Sequence, residues 1–543
     1  MKDKLKKLIE EFYPELELKK VENIIDKYKT NKINYKITHK TNFVISYADS
    51  ITNSFKKIKL EKFLKKNYSN INNIHLLPFF SYTSDDGFSV SDYYNVDKRF
   101  LNWKNIKNLN SFNLMYDFVA NHSSKSNKLF DNFLNDKTGY EDLYTEYDDN
   151  FDYSKVVRPR TSPLFHEYKN DLGKIKKVWS TFSEDQVDLN YRSEKTILHI
   201  LDILGFYLYR GARLIRLDAI GFIWKESGTS CMSLDKTHKL VQLISLFGKE
   251  IDKDSIIITE TNVPHKENIS YLTKDEADLV YNFTLPPLLL HTIFSEDSSV
   301  FNNWIEFYNT DLPDDKTMFN FLSSHDGIGM RGVQNILTSK QIDSLILKLE
   351  NNGAKINYKS NPDGTKSPYE ACTTFYSAIK DSDLNIWNKR YLLLHSILLA
   401  IKGVPAIYIN SLLLAENDLK GYELTKQNRS LNRKKFNYSE IKKISNQENF
   451  LKFSSKINNL MSIKSSYNAF DPYSKIEKIE LGKETISFIR KGTTNVIVVN
   501  NITPNKIEKN LNGEYKDLIT NRFFKSKLIL EPYEFLWLIQ NKK

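Results

Sequence analysis

Asp218 closes a short apolar run, Arg213–Leu217, and Arg216 stands two residues before it. Residues two apart on an extended strand share a face, so this acid has a fixed cation beside it. Other apolar runs end in the same manner: Phe43–Ser46 before Asp49, Asn113–Ala120 carrying Asp117 with Asn121 and His122 just beyond, Ile256–Thr259 before Glu260, and Met318–Ser323 before His325 and Asp326. A carboxylate nucleophile beside a protonatable carboxyl is the equipment of retaining glycosyl transfer, which needs the two groups about 5–5.5 Å apart. A third carboxylate suits the positive charge of an oxocarbenium-like transition state. Crowded anions raise the pKa of one of their number, leaving an acid for the leaving group. Arg216 is expected to keep Asp218 ionised, and Asn121, His122 and His325 to offer partners to sugar hydroxyls. A divalent-metal site is the alternative for Asp, His and Glu together, but no HExxH pair or equivalent occurs.

These residues need elements that bring strand ends to one mouth. The apolar runs Phe43–Ser46, Ile74–Phe80, Asn113–Ala120, Arg213–Leu217, Ile256–Glu260, Ala277–Asn282, Met318–Ser323 and Gly403–Ile409 alternate with helical patterns, among them Lys57–Asn67, Glu194–Leu208 and Lys389–Ile401. Alternating strands and helices imply a parallel sheet, and eight such units in this length predict an α/β fold, a closed (β/α)8 barrel spanning about 41–465. Residues 123–192 lose the rhythm and read as an inserted small domain after the third strand, and 331–370 as a second polar stretch. Residues 1–40 carry apolar positions at helical spacing (Leu5, Leu8, Ile9, Phe12; Val21, Ile24, Ile25, Tyr28), predicting two amphipathic helices on the outside. From about 466 to 543 the period changes to two, as in Ile479–Ile489, Asn495–Val499 and Phe535–Ile539, predicting a C-terminal antiparallel β-domain.

Bulk composition narrows the setting. The chain has 543 residues, 40% hydrophobic, enough for a large core and smaller appendages. Its two cysteines, Cys231 and Cys372, form neither a disulfide framework nor a metal-ligand spacing, and the basic start has no apolar run behind it, so a cytoplasmic protein is expected. The run Tyr391–Ile409 is broken by His395, Lys402, Gly403 and Pro405 and falls short of a membrane span. The net charge of +11 is spread through the chain rather than clustered, and no nucleic-acid partner is expected. Oligomeric state has no signature.

The segments Asp117-Phe-Val-Ala-Asn-His122, Gln186-Val-Asp-Leu-Asn190, Gly211-Ala-Arg-Leu-Ile-Arg-Leu-Asp218, Ile258-Thr-Glu260 and Phe321-Leu-Ser-Ser-His-Asp326 occur in this order. They resemble the ordered signature regions of the α-amylase superfamily (glycoside hydrolase family 13), over roughly residues 42–543. The resemblance implies Asp218 as nucleophile, Glu260 as acid/base and Asp326 as transition-state stabiliser. Further segments, including Asp86-Gly-Phe88, Arg158-Pro-Arg160, Lys225–Cys231, Leu285–Leu290 and Asn428–Arg433, look like the sucrose phosphorylase branch. That likeness implies an Asp49–Arg429 pair closing the glucosyl pocket, phosphate as co-substrate received near Arg158, Arg160 and His325, and no organic cofactor. On the acceptor side, Tyr93 and the Tyr369-Glu370 pair depart from sucrose phosphorylases and, with Val156–Thr161 and Glu260–His265, look closer to glucosylglycerate phosphorylases of the same subfamily. The implied leaving group is then a small carboxylate, with Arg158, Arg160, Lys169 and His265 as its expected partners. A sucrose phosphorylase and an α-glucosidase-type hydrolase are the alternative expectations.

Overall fold

Short runs of β-branched and apolar residues, each bounded by a turn, become the staves of a closed barrel. The computed structural model describes all residues except 1, 30–33, 54–58, 101, 362–363 and 542–543. The barrel strands are β1 (Phe43–Ser46), β2 (Asn73–Leu76), β3 (Asn113–Val119), β4 (Ala212–Asp218), β5 (Ile256–Thr259), β6 (Leu279–Tyr281), β7 (Thr317–Asn320) and β8 (Val404–Tyr408). Each pairs in parallel with its sequence neighbours and β8 closes on β1. All eight coincide with runs read from sequence, although β2, β4 and β7 each begin one residue before the run and β4 also ends one residue after it. The second is shorter than expected: after Leu76 the chain leaves the barrel, and Phe80–Tyr82 pairs antiparallel with Val90–Val96.

The barrel interior is partly polar. Register places Arg216 of β4 opposite Asp117 of β3, and His75 of β2 reaches the same carboxylate at 2.7 Å. Tyr281 of β6 donates to His75 Nδ1 at 2.7 Å, so the neutral ring passes its own proton toward Asp117. Buried charges are tolerated only when paired and hydrogen-bonded, and this chain is both. Around it Phe43, Phe319 and Tyr281 pack ring against ring, with centroids 5.1–5.2 Å apart.

Two amphipathic helices precede the barrel, α1 (Asp3–Phe12) and α2 (Leu18–Tyr28). They lie on α3 (Glu194–Tyr209) and α4 (Asp235–Ile251), burying Leu5, Ile9, Val21 and Ile25. Each such side chain contributes about 1.5–3 kcal/mol when fully buried, which favours docking of the two helices on the barrel. Tyr28 seats against Gly205 of α3, where a Cβ would strike its ring. The helix read as Lys57–Asn67 begins at Leu60; Lys57 and Ile58 lie outside the described residues.

The stretch 123–192 contains a helix, Lys128–Leu134, and a hairpin, Phe165–Lys169 with Ile175–Trp179. The polar stretch after β7 holds a helix, Ser339–Asn351, followed by a hairpin of Lys355–Ser360 with Lys366–Cys372 that returns to Ile328–Gly329 at the barrel mouth. The C-terminal region is a six-stranded antiparallel sheet. The run Ile479–Ile489 is not one strand: the chain turns at Gly482, and Ile476–Lys478 and Thr485–Arg490 pair on either side. The sheet docks on α5 (Leu384–Ala400) through Trp537, whose indole donates to Ser396 Oγ at 3.1 Å. Among the described residues no helix is long and apolar enough to cross a membrane.

Candidate active site

At the C-terminal end of β4 the backbone turns sharply, Ala219 adopting a left-handed conformation (φ +54°). The turn aims the Ala219 N–H at Glu260, whose Oε2 accepts at 3.0 Å. Glu260 follows β5, and its own N–H is tied to the Leu217 carbonyl at 3.1 Å. Two adjacent strand ends therefore set two carboxyl groups side by side. Arg216 lies beneath both, fully buried: Nη1 donates to Asp218 Oδ1 at 2.6 Å and to Asp117, and Nη2 stands 3.8 Å from Glu260. Asp326 enters from the loop after β7. Arg429 holds it at 3.1 Å, and Arg433 and His325 flank it at 3.8 and 3.4 Å.

Burial raises the pKa of every carboxyl here, and the arginines decide which stay ionised. Asp117 is held below the carboxylate range by Arg216 and His75 despite burial, and Asp326 by Arg429, Arg433 and Arg216. Burial pushes Glu260 up, against Arg216 and with help from Asp326. Asp218 is also driven well up by burial, opposed by Arg216 and supported by Glu260 and Asp117. Arg216, expected from sequence to keep Asp218 ionised, is shared with Asp117, which takes the same guanidinium nitrogen. One guanidinium already shared with Asp117 cannot keep two crowded carboxylates ionised, and the contacts favour Asp218 as the anion: it keeps a 2.6 Å charge-assisted bond to Arg216, while Glu260 stands 3.8 Å away. Glu260 is the better seat for the proton.

The pocket above this group is lined by Asp85, Phe88, His122, Arg160, Phe182, Gln186, Asp218, Glu260, Asn262, His325, Asp326, Tyr369, Glu370 and Arg429, among others. Of the expected binding residues, His122, Arg160, His325, Tyr369, Glu370 and Arg429 thus reach it. His122 Nε2 lies 2.9 Å from the Phe88 carbonyl. The His325 ring stacks on Phe88 with centroids 4.8 Å apart, and burial together with Arg433 and Arg216 keeps it neutral. A neutral His325 offers a hydrogen bond but not the cation expected for phosphate.

Several expectations are corrected. Asp49 does not pair with Arg429; it is bound by Lys435 at 2.7 Å and lies off the lining. Arg429 instead grips Glu370 with two nitrogens, Nε at 3.0 Å, and faces Asp85 at 3.6 Å. Asp85, from the loop after β2, therefore takes the place at the pocket floor that sequence reading gave to Asp49. Arg433 ties that floor together, reaching Asp85 and Asp86 at 3.0 and 3.1 Å. Asp85 stands one residue before the sequence motif Asp86-Gly-Phe88, and no strand end marks it. Tyr93 is buried behind the pocket, donating to the carbonyls of Val119 and His122 at 3.1 and 2.8 Å. It positions His122 and does not line the cavity. Arg158 turns to the Ser162 carbonyl, Lys169 sits on an exposed hairpin, and His265 is buried against Thr284 and Phe307. None of these three lines the pocket. Asn121 serves structure too, bridging Asp188 and Lys225 at 3.0 Å each. Among the described residues no cluster of three or more His, Cys, Asp or Glu side chains has the arrangement to hold a metal ion.

A closed parallel barrel whose C-terminal mouth gathers Asp218, Glu260 and Asp326 around buried arginines has the carboxyl set that glycoside chemistry uses. The alpha amylase catalytic domain family matches residues 62–350. The chain belongs to that family. It is 37% identical to the glucosylglycerate phosphorylase of Escherichia coli, over 91% of both chains. It is 40% identical to the glucosylglycerate phosphorylase of Spirochaeta thermophila, over 80% of this chain and 74% of the relative. Among solved structures, sucrose 6F-phosphate phosphorylase from Thermoanaerobacter thermosaccharolyticum superposes with a TM-score of 0.76 at 22% identity, covering 91% of this chain and 99% of that one.

Proposed function

We propose that this enzyme is a retaining α-glucoside phosphorylase that moves the glucosyl unit of 2-O-α-glucosylglycerate to phosphate, giving α-glucose 1-phosphate and glycerate. The observation that carries the reading is the shared anchoring of Asp218 and Glu260 by Arg216 and the Ala219 turn. Likeness to two glucosylglycerate phosphorylases over most of their lengths supports the choice of donor.

Asp218 attacks the anomeric carbon as Glu260 gives its proton to the departing glycerate oxygen, leaving a β-glucosyl ester on Asp218. Phosphate enters from the face that glycerate vacated, gives a proton to Glu260, and displaces Asp218 with net retention. Asp326, kept ionised by Arg429, faces the positive charge that develops on the ring in both steps. Asp85, Arg429 and Arg433 close the glucosyl end with a network of ion pairs that leaves no path for a longer chain.

The test incubates purified protein with phosphate and separate donors, including 2-O-α-glucosylglycerate and sucrose, and assays glucose 1-phosphate. Product is expected from glucosylglycerate at the highest kcat/KM. Free glucose with no dependence on phosphate would instead mark a hydrolase, and a preference for sucrose would reassign the donor. Asp218→Asn should lower turnover by about three orders of magnitude or more, since an amide in that place cannot form the covalent intermediate.

A further inference from the structure

Arg331 is a buried cation to which the mechanism above gives no task. It follows the short strand Ile328–Gly329 and opens a single turn, Arg331–Val333. Two glycines press this segment onto the pocket wall: a Cβ on Gly329 would stand 2.8 Å from the Phe283 ring and 3.1 Å from Asn262 Oδ1, and one on Gly332 would strike the Phe283 backbone. Arg331 is 7% exposed. Its Nη1 donates to the Asn262 carbonyl at 3.1 Å and lies 3.7 Å from Met232 Sδ; both of those residues line the cavity, and Arg331 stands directly behind them. Its Nε is buried without a partner. Among the described residues no carboxylate pairs with it.

That isolation is unusual at this mouth. Arg216 is matched by Asp117 and Asp218, Arg429 by Glu370 and Asp326, and Arg433 by Asp85 and Asp86. A guanidinium withdrawn from water without an anion is costly unless a ligand supplies the anion. The wall it belongs to is the one beside the proton donor. Asn262 lies two residues beyond Glu260, and the Tyr369 carbonyl accepts from Met330 N at 2.9 Å and from Asn262 Nδ2 at 3.4 Å. Arg160 stands over the Tyr369 ring at 5.6 Å, and its only carboxylate contact among the described residues is a loose one to Glu370 at 3.4 Å. Arg331, next to Met330 and Asn262, and Arg160 thus both adjoin Tyr369 in the wall that continues from Glu260.

We propose that Arg331 is the anion receptor of the acceptor side, taking the carboxylate of glycerate in one half-reaction and phosphate in the other. The proposal rests on the phosphorylase reading. Retention requires phosphate to approach along the line that glycerate left, so the two anions use one cation in turn. When the glycerate oxygen leaves carbon 1 with the proton of Glu260, its carboxylate is on Arg331; when phosphate forms its bond to carbon 1 and the Asp218 ester breaks, its spare oxygens take that place.

The test compares wild type, Arg331→Met and Arg331→Lys in three reactions: phosphorolysis of glucosylglycerate, phosphorolysis of α-glucosyl fluoride, and hydrolysis of α-glucosyl fluoride without phosphate. The last involves neither carboxylate nor phosphate. Arg331→Met is expected to raise KM for glucosylglycerate and for phosphate by about tenfold or more, with a much smaller loss in fluoride hydrolysis, and Arg331→Lys to recover part of the difference. Equal losses in all three reactions, or unchanged KM values, would overturn the proposal. Melting temperatures are recorded for each variant, and if Arg331→Met does not fold, Arg331→Gln carries the same comparison. A wild-type enzyme that makes no glucose 1-phosphate from glucosylglycerate refutes the donor assignment alone. The phosphate arm with the fluoride still decides the role of Arg331.

Discussion

In the proposed mechanism Glu260 carries a proton that Asp218 lacks, and that difference is measurable. Glu260→Gln removes the acid but keeps the shape, so cleavage of glucosylglycerate, whose leaving oxygen needs a proton, should slow by about 10²–10⁴-fold. Fluoride departs without protonation, and formation of the glucosyl-enzyme from α-glucosyl fluoride should be nearly spared. Equal losses on both donors would place the proton elsewhere. The sign of the pH dependence follows from burial, which raises Glu260 above the ordinary glutamate value. The acid form is the active one, so kcat/KM for glucosylglycerate should fall as pH rises through that raised pKa. The alkaline fall should vanish in glucosyl-enzyme formation from the fluoride.

At the scale of elements, the barrel could be read from sequence because each strand is an apolar run with a polar stop, and five of the stops carry an acid or its near neighbour. Asp218, Glu260 and Asp326 were legible for that reason. Asp85 and Arg331 were not, since both sit on short segments without periodicity, and only the folded chain shows what they face. The false pairing of Asp49 with Arg429 has the same origin: Asp49 ends a strand, but Lys435, from the loop after Arg433, reaches it first. Asp326 depends on a tight crossing just behind it. Gly327 has φ +86°, and a Cβ there would collide with the Ala371 carbonyl of the returning hairpin. Gly327→Ala should therefore cost about 1–3 kcal/mol in urea unfolding and depress kcat, with Asp326 displaced from Arg429. A variant with unchanged stability and turnover would show that the hairpin yields freely.

Across the whole molecule, the least comfortable charges lie far from the active site, where the barrel meets its appendages. Lys464 of the long helix Glu448–Ser466 is buried, with its ammonium on the carbonyls of His39 and Thr41 at 2.7 and 3.1 Å. Burial, with Arg490 nearby, lowers its pKa to about 7. Between pH 7 and the ordinary lysine value the unfolded chain holds a proton that the folded chain has released. Stability contributed by this group therefore rises with pH across that window, by on the order of 1 kcal/mol per pH unit at most. Below pH 7 the full cost of the buried charge is present. Lys464→Met should remove this slope, so that the melting temperature of wild type gains on the variant between pH 7 and 9.5. Parallel curves for the two proteins would mean that water reaches Lys464.

Arg429 grips Glu370 through Nε and Nη2 and shares that Nη2 with Asp326, and so belongs to both halves of the pocket. Engineers who wish to change the accepted alcohol by randomising position 370 would also release the arginine that sets the charge of Asp326. Libraries built at that one position should then lose catalysis of every kind more often than they gain a new acceptor. Joint variation of positions 370 and 429, scored for transfer of any glucosyl unit before selectivity, is the more productive search.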